Sequence, residues 1–305
     1  MEDIAIAQNS QRPVKPKLAM CNFISDIDEL GKFAFENGFS GIDWSFDVKT
    51  LPRTPVEESK WIKSLSSLRP LEIRYHCPFP RQDLGHEDPV QAKEAEALFR
   101  RIIRIVSKAE GRYLTLHIGL GHDSTEPLSW EATIDNLGRV VQYGAYHGVR
   151  VCLENLAWGW TSKPNLFEKL IRKSGAFVTL DIGHAHACES VQSNYWTIED
   201  FVAPHADRVI NSHIYHTEVS ELGHIPPGRL EDIRDGLGIL QNIGCMWWVL
   251  EIREAEGLLQ TKKVIDEFLM QSNYPGASEI METRISPADE GLYAGKRQAS
   301  SIWEG

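Results

Sequence analysis

Six residues of metal-binding type each close a separate apolar run. His76 ends Ile73-Arg74-Tyr75-His76, and His117 ends Leu114-Thr115-Leu116-His117. Glu154 ends Val151-Cys152-Leu153-Glu154, and Asp181 ends Val178-Thr179-Leu180-Asp181. His213 closes Val209-Ile210-Asn211-Ser212-His213, and Glu251 closes Trp248-Val249-Leu250-Glu251. An unpaired carboxylate at the end of such a run carries a large desolvation cost. A divalent cation offsets that cost, and imidazoles complete its shell with neutral nitrogens. Three carboxylates and several imidazoles suit Mn, Zn, Fe or Co in the divalent state. Each residue alone has a plainer reading: a strand-end Glu pairs with Arg or Lys, and a His is a satisfied core residue. The joint occurrence at six run ends argues for one shared site.

Residues so far apart meet only if the runs are parallel strands whose C-terminal ends share a mouth. Two further runs, Leu18 to Phe23 and Gly41 to Phe46, bring the strands to eight. Helical patterns separate them. They fall at Ile27–Asn37, after Thr54-Pro55, and at Pro89–Ala109, where Ala95, Leu98, Ile102, Ile105 and Val106 recur at helical spacing. Others fall at Ser129–His147, Asn165–Lys173, Thr197–Val202, Leu230–Asn242 and Leu258–Gln271. Eight strands alternating with eight helices predict α/β architecture of the (β/α)8 TIM barrel type, a single domain over residues 17–272. A doubly wound open sheet is the runner-up, but the chain has neither G-x-G-x-x-G after its first strand nor a Walker A motif. Residues 1–16 read as a disordered or loosely docked N-terminal tail. Residues 273–305 read as a polar tail with Trp303 as the residue to dock it.

The 305 residues are 42% hydrophobic and 25% charged, enough for a sizeable core. A net charge of −11 argues against nucleic acid and anionic lipid as partners. No apolar run reaches the roughly 18 residues of a membrane span, and the polar N-terminus has no secretory h-region. The expected location is cytoplasmic. Five cysteines, an odd number without C-x-x-C spacing, read as reduced and buried thiols. Cys77 and Cys188 adjoin candidate site residues. The oligomeric state stays open, with a homo-oligomer allowed.

Taken in strand order, Glu154-Asn155, Asp181-Ile182-Gly183-His184, His213 and Glu251 resemble the xylose-isomerase-like TIM barrel superfamily. That superfamily holds sugar phosphate isomerases and epimerases together with apurinic/apyrimidinic (AP) endonuclease family 2 enzymes of the endonuclease IV type. The resemblance runs from about Lys17 to Gln271. The epimerase pattern implies one metal held by Glu154, Asp181, His213 and Glu251. Glu154 and Glu251 would also be the catalytic acid/base pair, moving a proton on either face of a carbon beside a carbonyl through a metal-stabilised enediolate. His184 would contact substrate. The endonuclease pattern implies that His76, His117, His184 and His224 hold further metal, for water attack on a phosphodiester.

The chain departs from both patterns. Endonucleases carry an Asp two residues before the position of His224, where this chain has Leu222; Glu221 is one residue further away. Epimerases carry Gly-Glu and a substrate-holding Arg after the strand-seven His, where this chain runs His213-Ile214-Tyr215-His216-Thr217-Glu218. Substrate contacts therefore differ, and the candidates are His184, His216, Arg253 and Trp158. Trp44 and Trp160 also follow strand ends, although such rings serve equally in helix–barrel packing. Trp247 and Trp248 alternate, one toward the barrel and one toward the helices. Arg74, Arg81 and Arg253 suit either a phosphate or a carboxylate partner; His86, His122 and His205 read as loop residues. The leading expectation is a metal-dependent isomerase or epimerase of a sugar or sugar phosphate. The alternatives are a multinuclear phosphoesterase and a barrel that binds metal or sugar without turnover.

Overall fold

The computed structural model describes residues 15–271. By contact the chain divides into two units, Lys15–Ile265 and a second made of Met1–Val14 with Asp266–Gly305. The tails expected at residues 1–16 and 273–305, and with them Trp303, lie outside the described residues except for Lys15 and Pro16.

The first unit is built on eight parallel strands closed into a barrel. They are β1 (Lys17–Cys21), β2 (Gly41–Ser45), β3 (Glu72–Cys77), β4 (Tyr113–Leu116), β5 (Arg150–Glu154), β6 (Phe177–Asp181), β7 (Val209–Ile214) and, after a small hairpin, β10 (Trp247–Leu250). Each pairs with its neighbour in chain order, and β10 closes the ring on β1 through Lys17↔Trp247 to Met20↔Leu250. The hairpin, β8 (Thr217–Val219) against β9 (Gly223–Ile225), is antiparallel and follows β7. It has no counterpart in the sequence reading, because three-residue strands give too little alternation to stand out.

Local chemistry starts the helices where caps allow. Asp26 accepts from the backbone N–H groups of Asp28 and Glu29 to open α1 (Ile27–Glu36). Thr54 and Glu57 form a capping box ahead of Pro55 at the start of α2 (Pro55–Leu65). Asp88 and Pro89 open α3 (Pro89–Lys108), and Ser129 opens α4 (Trp130–Tyr146). Gly175, left-handed at φ 76°, ends α5 (Pro164–Ser174). The expected helix at Thr197–Val202 is instead a 3-10 turn at Glu199–Phe201, preceded by short α6 (Ile182–Ala187) and α7 (Glu189–Gln192). The reason is local: α6 starts directly after the last residue of β6, so the helical turn after this strand comes early. The expected helix at Leu230–Asn242 is a 3-10 turn at Leu230–Asp232 followed by α8 (Arg234–Asn242), and α9 runs Ala255–Gln271.

Strand alternation fills the barrel in layers. At the bottom, Ala19, Trp247 and Val249 pack together. Trp247 is thus the inward tryptophan, while Trp248 donates its indole N–H to the Cys245 carbonyl at 2.8 Å. Above lies a polar layer. The Arg74 guanidinium stacks on the rings of Tyr113 and Trp247 and donates to the carbonyl of Ile210 at 2.8 Å and to the Asn211 side chain. Asn211 reaches Thr115 and Thr179, which bond each other at 2.8 Å. Arg74 also donates from Nε to Glu72 at 3.0 Å, so of the two partners weighed for it the structure places a carboxylate. Two residues further along β3, β6 and β7 come His76, Asp181 and His213, which period-two alternation places on the same inner face, one layer higher.

Candidate metal centre

The top layer is built from strand ends. Glu154 closes β5, Asp181 closes β6, His213 lies near the end of β7, and Glu251 follows β10 directly. One ligand atom from each of these four lies within 4.8 Å of the others. His213 Nδ1 is 2.9 Å from Glu251 Oε2, 3.2 Å from Glu154 Oε1 and 3.8 Å from Asp181 Oδ2. His76, His117 and Glu154 form a second group on the same criterion. There His117 Nε2 is 3.1 Å, and His76 Nε2 3.4 Å, from Glu154 Oε2. All six side chains are buried.

Asp181 shows how the local sequence serves the site. Its Oδ1 accepts from the His184 N–H at 2.6 Å and so caps α6. Its Oδ2 is left over, buried and without a hydrogen-bond partner. Asn155 clamps the same strand end from β5: its side-chain oxygen accepts from Asp181 N at 2.8 Å and its amide donates to Asp181 O at 2.9 Å.

Among the described residues, the Glu154 oxygens, Glu251 Oε2 and the His213 ring nitrogens have one another as their near neighbours, as in the 2.9 Å contact of His213 Nδ1 with Glu251 Oε2, and no well-formed hydrogen bond beyond the cluster. Buried groups of this kind are ordinarily satisfied. Carboxylate oxygens and imidazole nitrogens facing one another at about 3–4 Å match the spacing of ligands around one ion with bonds of about 2.0–2.2 Å. The donor set therefore fits a divalent cation.

Electrostatics point the same way. Burial pushes Glu154 up, but the imidazoles of His213, His117 and His76 outweigh it and hold its carboxyl well below the usual range. Glu251 is likewise lowered, mainly by His213, against burial. For Asp181 burial wins: with Glu154 and Glu251 adding repulsion, its carboxyl is pushed up to about 7. His213 is raised far above its ordinary value because Glu154 and Glu251 overcome its burial. Burial lowers His117. Without a cation, the cluster offsets its carboxylates with protons, which a cation would displace.

The remaining expected residues fall into two sets. His184 borders the four-ligand group, its Nε2 3.9 Å from both Glu154 Oε1 and Asp181 Oδ2. Its Nδ1 turns instead to Glu218 on β8, at 3.1 Å. Asp181, Glu218 and Glu154 overcome burial and raise His184 to about 9. His224 stacks on Tyr215 with centroids 3.8 Å apart and directs Nδ1 to the Glu251 carbonyl at 2.7 Å. Leu222, where endonucleases carry their Asp, is 74% exposed. His216, Trp158 and Arg253 are outside both ligand groups. Arg253 is exposed and 3.8 Å from Glu251 Oε1; His216 is half-buried, and its backbone carbonyl faces His186 Nδ1 at 2.7 Å.

Two residues escaped the sequence reading. Asp43 on β2 is fully buried, with Oδ2 3.5 Å from His76 Nδ1 and 3.8 Å from His213 Nε2. The signal was there: an acid inside the run Gly41-Ile42-Asp43-Trp44, one layer below the strand end. Glu218 gave none, since its role depends on the β8–β9 hairpin. Among the loop histidines, His122 pairs with buried Asp83 at 2.7 Å.

An eight-stranded parallel barrel with a candidate metal centre at the C-terminal strand ends defines the class. The chain belongs to the xylose isomerase-like TIM barrel family, whose model matches residues 32–271. An uncharacterized protein of Methanocaldococcus jannaschii, MJ0008, is 27% identical over 187 residues, 61% of this chain and 80% of that protein. A D-tagatose 3-epimerase-like protein superposes with a TM-score of 0.67 at 16% identity, covering 84% of this chain and 98% of that one. Endonuclease IV from Thermus thermophilus gives 0.60 at 15% identity, over 84% of this chain and all of that one. At these identities the likeness to the solved structures is one of fold.

Proposed function

We propose that this chain is a divalent-metal-dependent enzyme that hydrolyses a small phosphoester, in which Asp181, His213, Glu251 and Glu154 would hold one ion and His76, His117 and Glu154 a second. The observation that carries this reading is the sharing of Glu154. Its Oε1 faces the group of Asp181, His213 and Glu251, and its Oε2 faces His76 and His117. One bridging carboxylate with separate ligand sets on either side is the arrangement a pair of ions needs. When bound, such a pair activates water and stabilises charge on the attacking and leaving oxygens of an in-line displacement. The protein's own part is to hold the ligands rigid on strand ends and to present Arg253 beside Glu251 for a phosphoryl oxygen. Net charge of −11 favours a small substrate over nucleic acid. Five buried, unpaired cysteines support a reducing, cytoplasmic setting.

A second reading is isomerisation or epimerisation of a sugar or sugar phosphate at one ion. It is favoured by the self-contained four-ligand group, which supplies Glu154 and Glu251 as two carboxylates for proton transfer. It also accords with the epimerase-like relative of the same fold. Metal analysis and a turnover assay separate the two. Two equivalents of Zn or Mn and cleavage of bis(p-nitrophenyl) phosphate are expected. One equivalent, with solvent deuterium entering C–H positions of a sugar phosphate panel, would replace the first reading by the second.

A further inference from the structure

Asp43 is a buried carboxylate with neither oxygen in a hydrogen bond, and among the described residues it makes no ion pair with Lys or Arg. A carboxylate in that position needs compensation. What faces it is the rear of two imidazoles. His76 turns Nδ1 toward Asp43 at 3.5 Å and Nε2 toward Glu154 and His117. His213 turns Nε2 toward Asp43 at 3.8 Å and Nδ1 toward Glu251, Glu154 and Asp181. At the front the two histidines belong to different ligand groups and use opposite ring nitrogens; behind, they and Asp43 make a third ligand-spaced group.

We infer that Asp43 is a positioning residue: its charge behind both rings favours the tautomers that turn an N–H toward it. His76 is held with its proton on Nδ1 and its lone pair on Nε2; His213 is held the other way round. A histidine that ligates a cation ordinarily donates its other ring N–H to a carboxylate or carbonyl, which sets ring orientation and raises basicity. Here one carboxylate does so for both groups, and a rotation of Asp43 disturbs both together. Glu251 Oε1, 3.8 Å from His76 Nδ1, is the competing acceptor. It is committed to the front of the cluster, where its other oxygen meets His213. The inference rests on the metal-centre reading for its consequence; without metal the tautomers are defined once both rings are neutral.

Long-range 1H–15N NMR of the imidazoles in the metal-free wild-type protein tests the tautomers with no substitution. Above the titration range of the two rings, His76 is expected as the Nδ1–H form and His213 as the Nε2–H form. Either ring in the opposite form overturns the inference. Asp43→Asn and Asp43→Ser then test the consequence by Zn titration against a chromophoric chelator. The expected result is unchanged stoichiometry with affinity lowered about 10- to 100-fold at both positions. Weakening confined to one position, or affinity within twofold of wild type, refutes the shared role. Loss of a whole equivalent would make Asp43 a ligand rather than a positioning residue. A wild-type protein that bound no Zn but showed the expected tautomers would defeat the metal reading and leave the Asp43 assignment standing.

Discussion

His76 Nε2 and His117 Nε2 lie 3.1 Å apart, and both face the same oxygen of Glu154. One of these nitrogens can donate to the other in a metal-free protein. The spacing also matches two ligands on one ion, since bonds of about 2.0–2.1 Å place neighbouring ligand atoms about 3 Å apart. This pair separates a one-ion from a two-ion site. The double variant His76→Ala/His117→Ala should lose one equivalent of metal and keep the other, read by elemental analysis of the purified protein. Full retention would mean that the pair serves substrate or structure instead.

Glu154 and Glu251 differ in what they hold. Glu154 belongs to both groups and Glu251 to one. Glu154→Gln should therefore lower affinity for both equivalents, and Glu251→Gln for one. Each should reduce turnover by at least about 10²-fold, whether the glutamates act as ligands or move protons. A variant with intact turnover would show that the chemistry happens elsewhere in the barrel.

The barrel and the convergence of its candidate residues were legible because both follow simple rules. Period-two alternation and strand-end position put His76, His117, Glu154, Asp181, His213 and Glu251 on one mouth, and closure of the ring did the rest. Asp43 was missed because the reading watched only strand ends, whereas its carboxylate works from the layer beneath. Which nitrogen of His184 meets which carboxylate was not legible at all. That depends on Glu218, carried in by a hairpin whose strands are too short for any pattern.

Gly183 is held to glycine by Tyr215. A Cβ at position 183 would lie 1.9 Å from Tyr215 Cε2, and the ring is fully buried with His224 stacked on it. Gly183→Ala should destabilise the fold by about 1–3 kcal/mol, the usual cost of overpacking. Denaturant unfolding measures it. Because His184 is the next residue, the variant should also weaken metal binding; an unchanged unfolding midpoint would contradict the packing around Tyr215.

His205 gives the fold a pH dependence separate from the centre. It is buried, and its ring meets Phe167 edge-on at 5.9 Å. Burial pushes its pKa below the ordinary histidine value, and repulsion from Arg208 adds to this; a bond to Phe201 and the charges of Glu168 and Asp207 oppose it without cancelling it. A depressed folded-state pKa means that the neutral ring is the form the fold prefers. Its contribution is therefore fully present above the unfolded value of about 6.5 and is lost as pH falls through the folded value. His205→Gln cannot take up that proton. Between about pH 7 and pH 5 the wild type should lose more stability than the variant, measured as the shift in urea midpoint at each pH. The other histidines titrate in both proteins, so the difference isolates His205 as long as the sites are independent. Parallel curves would mean that the ring takes up its proton equally in the folded and unfolded chain.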